Sequence, residues 1–127
     1  MLSFGLTFQP LVDCQAERYD WLSPAILRFL SRVANQVATL AQETGHKVDL
    51  AVCGEMGGRQ LEALALLGLG IRRFSITPAA VGPIKALMSK IDLPEIESAM
   101  SGWLASPPPD LRAELIHWAQ RRNIALD

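Results

Sequence analysis

The fold of this chain is decided by residues 48–58, which read Val48-Asp49-Leu50-Ala51-Val52-Cys53-Gly54-Glu55-Met56-Gly57-Gly58. The first six of these residues are mostly apolar, lie between two glycines and are too few for a stable helix, so they predict a mostly buried strand. The glycines that follow predict a tight turn. In an α/β fold, the residue at the carboxyl end of a strand faces the ligand crevice, which makes Cys53 the first candidate functional residue.

A long amphipathic helix is predicted before this strand. It opens at Ser23-Pro24, a capping residue followed by proline at the first helical position, and it runs to Gly45. Apolar residues recur within it at intervals of three and four, as on one face of a helix. These residues are Ile26, Leu30, Val33, Val37 and Leu40.

Further helices and a second strand are predicted after the turn. Residues 59–69 predict a buried helix, residues 73–77 a short strand ended by Pro78, and residues 79–90 another helix. Strands that alternate with helices pair in parallel through right-handed crossovers. The fold class is therefore predicted to be α/β.

Two terminal helices are predicted beyond residue 92. The first ends near Leu104, and the second runs from Asp110, its predicted cap, to about Asn123. The stretch Ser106-Pro107-Pro108-Pro109 between them predicts a stiff, extended linker.

Length and composition exclude several classes of protein. The 127 residues suffice for one globular domain, but a complete eight-unit barrel needs about 200 residues or more. A formal net charge of −1, with no strongly basic run, argues against binding to nucleic acid or to an anionic membrane. No apolar stretch is long enough to span a membrane, and the first residues lack the basic region of a signal peptide. The two cysteines, Cys14 and Cys53, are expected to be reduced thiols rather than a disulfide. We therefore expect a cytoplasmic protein without nucleic-acid or membrane partners.

The residues alone leave the role of Cys53 open. Its thiol, beside the glycines of the turn and the amides that begin the helix at Arg59, could serve as an acid or a base toward a bound anion. The alternative is a small buried hydrophobic side chain at a strand end. A redox role is a third alternative, but Cys53 has no Cys-x-x-Cys partner and no obvious neighbouring base.

Several motifs of the chain, taken in order, resemble the C-terminal end of the phosphoenolpyruvate-utilising enzymes. That family includes enzyme I of the sugar phosphotransferase system, pyruvate phosphate dikinase and phosphoenolpyruvate synthase, and the resemblance is closest to the nitrogen-related form of enzyme I. The cysteine loop is the signature of the family. The matching motifs are Tyr19-Asp20-Trp21-Leu22-Ser23-Pro24-Ala25, Cys53-Gly54-Glu55-Met56-Gly57-Gly58, Leu67-Gly68-Leu69-Gly70-Ile71, Phe74-Ser75-Ile76-Thr77-Pro78 and Ile84-Lys85-Ala86-Leu87.

The resemblance implies a phosphoenolpyruvate site. Members of the family bind phosphoenolpyruvate and Mg²⁺ at the mouth of a TIM barrel, and a cysteine protonates the enolate that remains when the phosphoryl group departs. Cys53 would be that general acid, and Gly54, Glu55 and Met56 would line the substrate. The implied fold is the C-terminal (βα) part of a TIM barrel, with two to three parallel strands and four to five helices. Residues 1–92 would form the barrel segment that binds phosphoenolpyruvate or pyruvate, and residues 93–127 a helical appendage.

The chain departs from the family pattern near its N-terminal end. The family carries an Asn-Asp pair for phosphate and Mg²⁺ and an Asp-Arg pair for phosphate, whereas this chain has Phe4-Gly5-Leu6-Thr7-Phe8-Gln9-Pro10 and Asp13-Cys14. The ligands for Mg²⁺ are therefore expected to be missing. The chain is a phosphotransferase segment by family, whereas the isolated chain is expected to be inactive. The alternative function is that of a truncated relative that forms a homo-oligomer or associates with another barrel segment, because a part-barrel leaves sheet edges uncovered.

Other chemically capable side chains are expected to have structural roles. His46 and His117 are expected to be structural or solvated. Arg72 and Arg73 precede a strand, at the end opposite the crevice, and are expected to be solvated. The tryptophans are expected to pack rather than to stack on bases, since no basic stripe accompanies them. They are Trp21, Trp103 and Trp118.

Overall fold

The computed structural model describes residues 20–126, which form six helices and two strands. No helix among these residues is long and apolar enough to cross a membrane. The elements, numbered along the chain, are α1 (Pro24–Thr44), β1 (Ala51–Cys53), α2 (Glu55–Gly58), α3 (Gln60–Gly68), β2 (Arg73–Ser75), α4 (Pro78–Met88), α5 (Leu93–Ala105) and α6 (Leu111–Arg121).

The two strands confirm the predicted parallel pairing. β1 and β2 lie side by side in an open sheet, with Val52 opposite Phe74 and Cys53 opposite Ser75. Helices α2 and α3 lie in the connection between them, as parallel neighbours require. Both strands are shorter than predicted, because only three residues of each find a partner across the ladder. The α/β class and the number of strands are confirmed. The prediction of four to five helices is wrong by one for residues 20–126, because residues of the glycine-rich turn form the additional single-turn helix α2.

Helix α1 has the boundaries that its sequence predicts. The Ser23 hydroxyl accepts a hydrogen bond from the Ile26 amide at 3.3 Å, and Gly45 ends the helix in a left-handed conformation with φ 71°. Leu27 is buried, whereas Phe29 is 65% exposed. Part of the apolar surface of α1 therefore lies open within the described residues.

Helix α3 is the centre of the core, as its apolar sequence predicts. Its residues from Glu62 to Gly68 are buried. A Cβ built at Gly68 would lie 2.9 Å from the Cβ of Met100 and 3.1 Å from the carbonyl oxygen of Ile96, both on α5. Packing therefore requires a glycine at this position.

Helices α5 and α6 share the same core. Asp92 and Asp110 cap them, each carboxylate accepting a hydrogen bond from the amide three residues on, and the Asp110 cap confirms the sequence prediction. The division of the chain at residue 92 into a barrel segment and an appendage stays a prediction. Buried side chains of both helices pack into one cluster with α3, namely Ile96, Met100, Leu111, Leu115 and Trp118.

Candidate active site

Cys53 ends β1, as predicted, and lies directly opposite Ser75 at the end of β2. The Gly54 amide donates to the Ser75 carbonyl at 3.3 Å, which continues the ladder one residue beyond the strand. Paired residues of neighbouring strands project from the same face of a sheet. The thiol of Cys53 and the hydroxyl of Ser75 therefore share one face at the carboxyl end of the sheet.

The thiol of Cys53 is exposed and free. Alternate residues of the strands point to opposite faces, so that Val52 and Phe74 are half-buried against the core whereas Cys53 and Ser75 are exposed. The alternative interpretation of Cys53 as a small buried hydrophobic residue is therefore wrong. An accessible thiol can exchange a proton with a bound molecule.

Glycines shape the turn that follows Cys53, which is formed by residues 54–58 and is called the glycine turn below. Gly54 has φ 104° and ψ −166°, a conformation that is essentially restricted to glycine. Gly57 is buried against β2, where a Cβ would lie 3.3 Å from side-chain atoms of Phe74 and Ile76. The glycines therefore allow α2 to pack closely on the sheet beside the thiol.

Glu55 and Met56 lie in different surroundings. Glu55 is exposed and forms a 3.8 Å ion pair with Arg59, whose guanidinium lies 5.0 Å from the centre of the Trp21 ring. Met56 is half-buried and packs against the core. Of the three residues predicted to line a ligand, Gly54 and Glu55 are thus exposed beside Cys53, whereas Met56 packs between the turn and the core.

A three-residue ionic cluster joins distant parts of the chain near this turn. Arg112 Nη2, on α6, donates to Asp20 Oδ1 at 2.6 Å and to Glu62 Oε1 at 3.0 Å. Glu62 lies in the first turn of α3, and its side chain is only 3% exposed. Sequence reasoning missed this cluster. Its one signal is a glutamate in an otherwise apolar helix, and no local pattern pairs residues that are 92 and 50 positions apart.

The cluster shifts the pKa values of two of its members. Burial raises the pKa of Asp20, but hydrogen bonds from Arg112 and from the Leu22 amide, with the charge of Arg112, outweigh burial and hold this pKa below its usual 3.8. The hydrogen bond to Asp20 raises the pKa of Arg112, against the effect of burial. Both groups are therefore charged at neutral pH.

The two arginines at the start of β2, Arg72 and Arg73, have structural partners. Arg72 donates to the Leu67 carbonyl at 2.7 Å and pairs with Glu97 on α5. Arg73 pairs with Asp49 at 3.3 Å. Both arginines are exposed, as predicted, but each is also held by a carboxylate.

The histidines and tryptophans behave as their sequence context predicts. His46 and His117 are exposed. Trp118 is buried, and Trp21 and Trp103 are half-buried. The prediction that the tryptophans pack is therefore confirmed.

The part of the chain that contains the glycine turn matches a known protein family. Residues 11–93, which include Cys53 and both strands, match the family model described as PEP-utilising enzyme, PEP-binding domain, where PEP is phosphoenolpyruvate. The chain belongs to this family. The family resemblance inferred from the cysteine loop and the motifs around it is thus confirmed.

Three relatives of the PEP-utilising family are identical to this chain at 33–38% of the aligned positions. A protein of Escherichia coli (strain K12) named phosphoenolpyruvate-dependent phosphotransferase system is 33% identical over 110 residues, which are 86% of this chain and 14% of that protein. A phosphoenolpyruvate-protein phosphotransferase of Borreliella burgdorferi is 38% identical over 79 residues, 62% of this chain and 13% of that protein. One of Bacillus subtilis is 35% identical over 92 residues, 68% of this chain and 15% of that protein. No solved structure matches. The chain thus spans 13–15% of the length of these relatives.

A cavity lies beside the glycine turn. Its volume is about 650 Å³, and its lining includes Gly58, Arg59, Glu62 and Arg112. Cys53 is not among the residues that line it. The cavity therefore adjoins the ionic cluster rather than the exposed face of the sheet.

The described residues do not by themselves fit the Mg²⁺ that the family resemblance implies. Among residues 20–126, no group of three or more His, Cys, Asp or Glu side chains is arranged to hold a metal ion, whereas Mg²⁺ takes an octahedral set of oxygen ligands. The stretches 4–10 and 13–14, where the family ligands are expected to be missing, lie outside the described residues, and so does Cys14.

Proposed function

We propose that this chain is the phosphoenolpyruvate-binding segment of a phosphoenolpyruvate–protein phosphotransferase, in which Cys53 acts as general acid and base on the enolate. The exposed thiol at the carboxyl end of β1, next to the glycine turn, carries the proposal. Ligands of parallel α/β folds bind at this end of the strands. Relatives named phosphoenolpyruvate-protein phosphotransferase match this segment.

The proposed step is a proton transfer to carbon. When the phosphoryl group leaves phosphoenolpyruvate for its acceptor, the enolate of pyruvate remains. A bond forms between C3 of the enolate and the thiol proton of Cys53 while the S–H bond breaks, which yields pyruvate and a thiolate. In the reverse direction the thiolate removes a proton from the methyl group of pyruvate.

Gly54, Glu55 and Met56 are proposed to line the substrate, with Met56 acting from the side of the core. Gly54 leaves room for a ligand, since nothing lies within 4 Å of a Cβ built there. Mg²⁺ remains an expectation from the family, and no step of the proposal passes through it. A cytoplasmic location also stays a prediction.

Isotope exchange tests the acid–base role of Cys53. In D₂O, a base that removes a methyl proton of pyruvate replaces it with deuterium, and proton NMR follows the loss of the methyl signal. With the remaining barrel segment of a relative added in trans, we expect the wild-type chain to exchange pyruvate faster than Cys53→Ser, while Cys14→Ser, the matched control, keeps the wild-type rate. Equal rates for wild type and Cys53→Ser would contradict the role of Cys53.

Ligand-observed NMR tests substrate binding separately. We expect phosphoenolpyruvate signals to be attenuated at millimolar ligand and the alkylation of Cys53 to slow when phosphoenolpyruvate is present. The experiment is run with and without Mg²⁺, and with the remaining barrel segment of a relative added in trans. Absence of binding in every arm removes the proposed function.

The exposed apolar surface of α1 favours a second candidate function, an oligomerising module without catalysis. Ile26, Phe29 and Leu40 are 36%, 65% and 49% exposed. The two-stranded sheet also leaves strand edges unpaired within the described residues. A second copy of the chain would cover such surfaces. Sedimentation velocity should then show a dimer that Phe29→Ser dissociates and Arg32→Ser, on the same helix, does not. A monomeric wild-type chain excludes this function.

A further inference from the structure

Arg112 brings together three segments that are far apart in the chain. It lies on α6, beyond the family-matched residues 11–93, yet its Nη2 contacts both Asp20, which precedes α1, and Glu62, in the first turn of α3. One nitrogen thus bridges two carboxylates at 2.6 and 3.0 Å. The bridge joins the C-terminal helix to the matched segment.

Glu62 depends on this contact. Its side chain is 3% exposed, and Arg112 is the one cation within ion-pair distance of it among residues 20–126. A buried carboxylate without a partner is strongly unfavourable, because it has lost its water without gaining a counter-charge. The position of the first turn of α3 is therefore coupled to the position of Arg112.

Two further contacts hold the turn that contains Asp20. The Leu22 amide donates to Asp20 Oδ1 at 3.0 Å, and the ring of Trp21 lies under the guanidinium of Arg59. Arg59 is the residue that directly follows Gly58 and precedes α3. The residues after the glycine turn and the C-terminal helix therefore contact the same short segment.

We propose that Arg112 is a positioning residue for the glycine turn that follows Cys53. Through Glu62 it fixes the start of α3, and through Asp20 it fixes the segment on which Arg59 packs. The turn between Gly54 and Gly58 is thereby held at a set position beside the thiol. This inference rests on the proposed function in that the positioned turn is the one proposed to bind phosphoenolpyruvate.

Hydrogen exchange of the full chain tests the proposal without any ligand. Arg112→Met removes the charge and keeps much of the side-chain length, and Arg112→Lys restores a cation. Arg121→Met is the matched control, because Arg121 lies on the same helix, is 60% exposed and is 3.9 Å from Glu114. The double variant Glu62→Gln with Arg112→Met removes the buried charge together with its partner.

We expect Arg112→Met to raise amide exchange about tenfold or more in the glycine turn and at the starts of α1 and α3, while the middle of α5 exchanges as in wild type. Arg112→Lys should restore much of the protection, and Arg121→Met should leave it unchanged. The double variant should regain global stability in urea, because no unpaired buried charge remains, but its α3 start should still exchange fast. Where wild type binds phosphoenolpyruvate, Arg112→Met should weaken that binding and Arg112→Lys should recover it.

Three outcomes overturn the proposal. The first is that Arg112→Met exchanges its amides at the wild-type rates. The second is that exchange rises equally in every helix, and the third is that the double variant regains wild-type protection at the start of α3. The second or third outcome would mean that Arg112 only stabilises the fold. If wild type binds no phosphoenolpyruvate, the proposed function fails, whereas the exchange data still decide whether Arg112 positions the turn.

Discussion

Gly68 and Met100 lie so close that a Cβ on the glycine would be 2.9 Å from the Cβ of the methionine. The backbone of α3 therefore packs directly on α5 at this point. Because α3 begins where the glycine turn after Cys53 ends, this crossing sets the position of the helix that follows the candidate site.

Gly68→Ala should destabilise the chain by about 1–3 kcal/mol, since an added methyl group must displace Met100 and the Ile96 carbonyl. Gly102→Ala is the matched control, because Gly102 lies within α5 and nothing lies within 4 Å of its Cβ position. That control should stabilise by about 0.5–1 kcal/mol through helix propensity. Urea denaturation monitored by circular dichroism gives both values. Equal stabilities of the two variants would show that the α3–α5 contact is looser than described.

Gly54→Ala separates backbone strain from packing. Nothing lies within 4 Å of a Cβ at Gly54, but its φ of 104° is unfavourable for alanine. We expect a loss of about 1–3 kcal/mol from the backbone alone. Urea denaturation against Gly102→Ala, in which the same methyl group meets open space in a helix, isolates this term. A neutral Gly54→Ala would mean that the turn after Cys53 adopts another conformation without cost.

Local signals in the sequence predicted the helix ends and the strand that carries Cys53. Ser23 and Asp110 were recognisable as caps because a capping side chain bonds to an amide only three residues away. The same local reasoning left three roles open for Cys53. Exposure excludes the role of a buried hydrophobic residue, and exposure depends on which face of the sheet the rest of the chain covers.

Contacts between distant residues were not predictable in this way. The bridge from Arg112 to Asp20 and Glu62 joins positions whose separation along the chain follows no helical or strand period. The need for glycine at residue 68 likewise depends on where α5 crosses α3, which no pattern within α3 encodes. Both features arise from how whole elements pack together.

The cap of α6 should be measurable. The Asp110 carboxylate accepts a hydrogen bond from the Ala113 amide at 3.1 Å. Asp110→Ala should cost about 0.5–2 kcal/mol, whereas Asp110→Asn, whose side chain also caps well, should cost much less. Thermal and urea unfolding of the three proteins provide the comparison. If the alanine and asparagine variants are equally stable, the carboxylate does not act as a cap.

Asp20 should make the stability of the chain depend on pH at acid values. Its pKa in the folded chain is held below the usual 3.8, so folding favours its charged form. The stabilisation is complete above the unfolded-state pKa and is lost as the pH falls through the lower pKa of the folded state. We therefore expect wild type to exceed Asp20→Asn in free energy of unfolding at neutral pH, and the difference to shrink progressively below about pH 3.8. Urea titrations of both proteins across this range give the difference directly, and added salt should reduce it, because the pair is partly exposed. A difference that stays constant on acidification would show that Arg112 does not stabilise the carboxylate of Asp20.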